Sequence, residues 1–193
     1  MGNCFGAGVV RGARRGSAGA RSYPWRMRVY LPLTLPRLAE LHRTGEVAPA
    51  PLTAHAVTPG LREWYLAGGE EELEYAALGR AAHAALALLA ADPGAPPRRV
   101  VLAVEVADGA ARTDPDRALD PEAVSEVVLD TAVPLADVAA VHVDADEAAA
   151  DVAAAVAALA GAARGDEDAR LAVDGAADHE LLWYGVQEID TLV

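Results

Sequence analysis

Residues 70–104 read EEELEYAALGRAAHAALALLAADPGAPPRRVVLAV, and the first two thirds differ in kind from the last five positions. Glu70, Glu71, Glu72 and Glu74 gather carboxylates where a helix opens, at the positive end of its dipole. The pattern predicts a helix running to about Ala91, stopped by Asp92-Pro93-Gly94. Val100-Val101-Leu102-Ala103-Val104 is apolar at every position, as a strand covered on both faces requires. A long helix delivered to a doubly buried strand implies helices layered on a sheet.

Working outward toward the N-terminus, Val29-Tyr30-Leu31 reads as a strand. Thr34 then caps a short helix from Leu35 to Leu41, with Leu35, Leu38 and Leu41 on one face and Gly45 as its stop. A second strand spans Leu52 to Val57 and ends at Pro59-Gly60, and a helical turn follows over Leu61 to Leu66. Toward the C-terminus, a polar loop from Asp108 to Pro121 precedes strands at Val124 to Leu129 and Ala139 to Val143. An Ala-rich helix covers Glu147 to Ala160 with the stripe Val152, Val156 and Leu159, ended by Gly161 and Gly165. Arg170 to Val173 reads as a last strand, and Asp178 as the cap of a final helix running through Leu181, Leu182 and Ile189. Together these elements predict a single layered α/β domain over residues 27–193, with a mixed sheet of about six strands and packed helices.

The order strand, helix, strand, Trp-Tyr helix occurs at 29–66 and again at 139–186, which suggests an internal duplication. Three Trp and five Tyr in 193 residues give about 0.08 Trp-Tyr pairs by chance; two occur, Trp64-Tyr65 and Trp183-Tyr184. The plainer reading is two aromatic pairs fixing helices to a sheet. Either way Trp64 and Trp183 are expected to be largely buried, and Trp25 exposed.

Charge divides the chain unevenly. Residues 1–26 carry five Arg and no acid, whereas the remaining 167 carry eleven Arg against all 29 acids, a balance of −18 that brings the whole to −13. An acidic body repels phosphate backbones and anionic lipid, so no nucleic-acid partner and no membrane surface are expected. No apolar run approaches the roughly 18–20 residues of a membrane helix, and Arg and Gly interrupt any secretory signal core. A cytoplasmic protein is the expectation. All sixteen basic residues are Arg; without Lys there is no Schiff-base enzyme and no phosphate-loop lysine. Cys4 is the only cysteine, which excludes a disulfide framework and multi-cysteine metal sites. Residues 1–26 show neither helical nor strand periodicity and read as a disordered tail or an over-extended start, with translation beginning at Met27. Met1-Gly2-Asn3-Cys4 resembles an acylation start, but Gly6 stands where Ser or Thr is needed.

From Met27 onward the chain resembles a family of actinobacterial proteins of unknown function. The resemblance is carried by Met27-Arg28-Val29-Tyr30-Leu31-Pro32, by Ala56-Val57-Thr58-Pro59 with Leu61-Arg62-Glu63-Trp64-Tyr65, and by Glu71-Glu72-Leu73-Glu74-Tyr75-Ala76. It continues through Val173-Asp174-Gly175, Asp178-His179-Glu180-Leu181-Leu182-Trp183-Tyr184 and Gln187-Glu188. It implies no activity, cofactor or partner.

Few residues offer chemistry. Ser125 is the body's only serine, placed in a strand and outside any nucleophile turn. Asp144-Ala145-Asp146 follows a strand as phosphatase aspartates do, but the Lys such chemistry wants is absent, and helix capping explains the pair. The densest constellation is Asp174, Asp178, His179 and Glu180, whose carboxylates and imidazole suit a divalent cation or proton exchange. Against it stands the plain role of Asp178 as a cap and Glu180 as a dipole partner. Consecutive residues fan out around a helix, so a metal held by Asp174 and His179 would need water or a distant ligand such as His55 to complete it. His55 and His142 lie in strands, where a buried, hydrogen-bonded imidazole is the usual outcome. The sequence therefore predicts a binding or regulatory module with no cofactor implied and a protein partner as one route. The alternative is a small metal- or acid/base-dependent hydrolase centred on His179.

Overall fold

The computed structural model describes residues 26–66, 68–117 and 120–193. β1 (Arg26–Leu33) sends Val29, Leu31 and Leu33 to one face and Tyr30 to the other, all buried. α1 (Leu35–Thr44) buries Leu35, Leu38 and Leu41. It ends where Gly45, at φ 84°, turns left-handed and donates its N–H to the Leu41 carbonyl at 2.8 Å, a conformation that costs glycine no Cβ clash. After β2 (Glu46–Val47) and β3 (Leu52–Ala56) comes α2 (Pro59–Trp64). Pro59-Gly60 opens this helix rather than merely ending the strand. The Thr58 hydroxyl accepts from the Leu61 N–H at 3.0 Å, and proline suits a first turn whose N–H has no partner anyway.

α3 (Glu70–Ala91) has the expected bounds, and Glu72 reaches back to accept from the Gly69 N–H at 3.0 Å. β4 (Val100–Ala107), β5 (Ala111–Arg112), β6 (Glu126–Leu129), β7 (Val133–Pro134) and β8 (Val138–Val143) follow. Then come α4 (Ala149–Ala163), α5 (Glu167–Ala177), β9 (Leu182–Tyr184) and α6 (Ile189–Leu192). Seven strands form one sheet in the order β5-β6-β3-β1-β4-β8-β9, and β2 pairs with β7 apart from it. Every adjacent pair is antiparallel. The expected layered α/β domain is present; its sheet is antiparallel throughout the described pairs rather than mixed, with one strand more than anticipated.

Both sheet faces are covered, as the continuous apolar run of β4 demands. Val29, Leu31, Leu102, Val104 and Val141 pack with the leucines of α1 and with Ile189 of α6. On the opposite face Tyr30, Val101, Ala103 and Ala140 meet Leu61 of α2 and Leu73, Ala77 and Ala81 of α3. Alanines on α3 let the helix lie close to the sheet and leave little room there for a bulky side chain. Farther along α3, Leu86 and Leu89 pack with Val152 and Ala155 of α4 and with Val173 and Ala176 of α5. Among the described residues no helix is long and apolar enough to cross a membrane.

The C-terminal quarter departs from expectation. Residues 170–173 lie inside α5, not in a strand. Asp166 caps that helix by accepting from the Ala169 N–H at 3.2 Å, and Val173 and Ala176, three residues apart, share its buried side. Leu182-Trp183-Tyr184 forms β9, not a helix, and pairs along β8 as Val143↔Leu182, His142↔Trp183 and Val141↔Tyr184. Gly161 lies within α4, and the reversal falls to Gly165 at φ 90°. The second half of the supposed duplication therefore runs strand, helix, helix, strand, and the two segments do not share an order of elements. Trp64 and Trp183 are 55% and 62% exposed, contrary to expectation. The first sits at the end of a six-residue helix, the second on a three-residue edge strand. Trp25 lies outside the described residues.

Candidate functional site

The residues singled out near the C-terminus lie around the turn from α5 to β9. Asp174 is inside α5, and Asp178 closes that helix with its N–H on the Gly175 carbonyl at 3.3 Å. Asp178 therefore stands at the negative end of a helix instead of capping the positive end of the next one, and neither it nor Glu180 complements a dipole. His179 follows, with its Nε2 donating to Asp151 Oδ2 of α4 at 2.6 Å. Its carbonyl accepts from Arg99 Nη2 at 2.9 Å.

Arg99 fixes this turn because it is itself fixed. Asp144, fully buried, accepts from the Arg99 N–H at 2.7 Å, from Nε at 2.8 Å and from Nη2 at 2.7 Å. Arg98 donates to the Asp144 carbonyl at 2.9 and 2.6 Å and pairs with Asp146 at 3.0 Å. The Asp144-Ala145-Asp146 motif is thus a clasp joining the start of β4 to the end of β8. Its first carboxylate is saturated by one guanidinium and one amide, and Asp146 makes no side-chain cap.

His179 and Glu180 line a hollow of about 480 Å³ beside α3, together with Tyr65, Tyr75, Arg80 and His83. Asp174 and Asp178 are not in its wall, and His55 belongs to a different hollow. Asp178, His179 and Glu180 lie on a turn and not on the helix that a fan of consecutive residues presupposes. Among the described residues no three His, Cys, Asp or Glu side chains gather closely enough to hold a metal ion. Of the six aromatic side chains among the described residues, Trp64, Tyr65, Tyr75 and Trp183 are exposed. The first three lie at the junction of α2 and α3, and Tyr65 and Tyr75 face the same hollow as His179.

The second hollow, also about 480 Å³, lies between α3, β3 and the approach to β6. His55 forms part of its wall and is only 5% exposed; its Nδ1 meets the Ser125 hydroxyl at 2.9 Å. Its Nε2 is buried and has no hydrogen-bond partner among the described residues. Burial, then the nearby charges of Arg80 and His83, lower the imidazole to about 4, so it is neutral at neutral pH. Burial also lowers His142, with Arg28 as the secondary cause. Ser125 is fully buried, so its hydroxyl cannot meet a substrate as a nucleophile despite the imidazole beside it. Arg80 donates to the carbonyls of Pro121 and Glu122 at 3.1 and 3.3 Å, tying the segment before β6 to α3.

Sequence reasoning did not find Tyr75, Arg80, His83, Asp151 or the Ser125 contact as parts of a site. The available signal was the spacing of Arg80 and His83, three apart on one helix face. The contacts of Asp151 and Ser125 depend on chain segments 28 and 70 residues away. No curated protein and no solved structure matches the chain. The family of unknown function DUF6912 matches residues 27–193, and the chain belongs to that family.

Proposed function

We propose that this protein is a binding module whose ligand is a small organic cation, an amine held in the hollow between α3 and the α5–β9 turn. The observation that carries this reading is the exposure of Tyr65 and Tyr75, 43% and 64%, on the wall that also holds His179 and Glu180. Large aromatics left in water at one place mark a recognition surface. Tyrosine faces attract cations, and Glu180 supplies a carboxylate. Of the two arginines in the same wall, Arg99 is already neutralised by Asp144 and Arg80 is outweighed by the carboxylates of Glu72 and Glu180, and a net charge of −13 draws cations to the whole surface. Phenethylamine and choline are suitable probes. Either should raise the melting temperature of the wild type, with the gain shrinking as salt is added and disappearing in Tyr75→Ala and Glu180→Gln. Failure of both probes to bind, or equal gains in those variants, would remove the reading.

A second reading rests on the His179–Asp151 contact. A carboxylate that accepts from Nε2 orients the imidazole and leaves Nδ1 to take a proton, the arrangement of a general base. It corresponds to a small acid/base hydrolase. An activated-ester substrate should then turn over in the wild type but not in His179→Gln, and Asp151→Asn should lower the rate without changing substrate affinity.

A further inference from the structure

The hollow at His55 combines features that the amine groove lacks. Its wall includes Thr53, His55, Trp64, Arg80, His83 and Glu122. Trp64 adds a broad aromatic surface, more than half exposed, in the same wall. At about 480 Å³ the space falls within the range of small-ligand sites.

We propose that this hollow binds a planar nitrogen heterocycle of the nucleobase class, with its face on the Trp64 indole and its polar edge against Glu122 and Arg80. Flat heterocycles stack on aromatic side chains through the π face common to all of them. Their edges carry both donors and acceptors, so one edge can meet a carboxylate and a guanidinium together. Glu122 places a carboxylate in the wall to accept from an exocyclic amino group. Arg80, fixed by its contacts to the Pro121 and Glu122 carbonyls, presents a guanidinium beside it. Of the two arginines in the wall, Arg117 is paired with Asp120 and Glu126 and Arg80 is held by two carbonyls; with an acidic protein around them, the uncharged nucleoside is a better fit than its phosphate.

Adenosine, cytidine and ribose, each titrated into the full chain and followed by ligand-observed NMR, test this. At least one nucleoside should bind with a dissociation constant below about 1 mM, ribose should not bind, and adenosine monophosphate should bind more weakly than adenosine. Trp64→Ala removes an exposed side chain and should weaken nucleoside binding tenfold or more. Glu122→Gln exchanges an exposed carboxylate in the wall for an amide and should weaken adenosine and cytidine binding several-fold. Absence of nucleoside binding, or unchanged affinity in Trp64→Ala, would overturn the proposal. So would affinity lost in Tyr75→Ala but kept in Trp64→Ala, which would move the ligand to the amine groove. Failure of the amine probes leaves these nucleoside titrations unaffected, since the two hollows are read by different probes and different variants.

Discussion

His55 and His179 occupy opposite situations in one small protein. The first is sealed into the sheet, neutral, bonded to a hydroxyl through one nitrogen and to nothing through the other. The second stands on a turn between helix and strand and meets a carboxylate that is itself mostly in water. A buried group acts through what burial forbids, an exposed one through the geometry imposed on it. Around His179 that geometry comes from the Arg99–Asp144 pair, buried at 3% and 0% side-chain exposure. The surface site thus depends on an interior ion pair, while the interior site opens on an exposed tryptophan.

The largest test of this contrast is to break the clasp. Asp144→Ala leaves the Arg99 guanidinium buried without its carboxylate, which should cost about 3–5 kcal/mol and free the carbonyl of His179 from its anchor. Urea unfolding reads the loss, and the amide signals of residues 178–181 should broaden or shift. Replacing both partners, Arg99→Met with Asp144→Leu, should recover much of the stability but not the fixed turn. If Asp144→Ala unfolded at the wild-type midpoint, the pair would not anchor the surface site.

Acid should expose the other half of the contrast. His55 titrates at about 4 in the folded protein against 6.5 as an ordinary imidazole. Between those values the unfolded chain binds the proton and the native one does not. This contribution is therefore complete above pH 6.5, declines as pH falls, and has been lost once pH passes below 4. The shift corresponds to about 3 kcal/mol. His142, lowered by burial in the same direction, adds to the same slope. In His55→Asn the decline should flatten; a slope identical to wild type would assign the acid sensitivity to other groups.

Much of the fold was legible because its signals are local. Four glutamates and Asp-Pro-Gly bound α3, and the unbroken run from Val100 to Val104 identifies a strand covered on both faces. Arg170-Leu171-Ala172-Val173 misleads because a short apolar run fits a strand as well as a helix, whereas the decisive signal, Asp166 capping Ala169, lies upstream. Once α5 replaces that strand, the junction expected at Asp178 reverses, and Asp174 and Asp178 separate from His179 and Glu180. The His55–Ser125 contact arises from the β3–β6 pairing, in which His55 stands opposite Glu126, and no local pattern encodes such a register. Side-chain chemistry was visible in the chain; which residues would share a hollow was not.

A smaller effect is expected where His179 meets Asp151. The pair is 31% and 60% exposed, so water and salt compete with it, and its coupling should be about 0.2–1 kcal/mol. A double-mutant cycle with His179→Ala and Asp151→Ala measures this, and high salt should reduce it. A coupling as large as that of the buried clasp would mean the groove is drier than its exposure indicates.

The smallest effects fall on the two tryptophans that looked most like core. Had Trp64 and Trp183 been buried, truncation to alanine would cost about 3–5 kcal/mol each. Their exposure changes that expectation. Trp64 ends α2 three residues beyond Leu61, which alone in that helix is buried, and the alanines of α3 leave the sheet face no space for an indole. Trp183 projects from a strand paired on one side only. Each alanine variant should therefore stay within about 0.5 kcal/mol of wild type, although the same Trp64→Ala change should weaken nucleoside binding in the His55 hollow tenfold or more. A side chain that contributes little to stability and much to recognition is what an exposed aromatic at a binding site should be. Loss of several kcal/mol in Trp64→Ala would return the indole to the core and take the stacking surface away from the ligand.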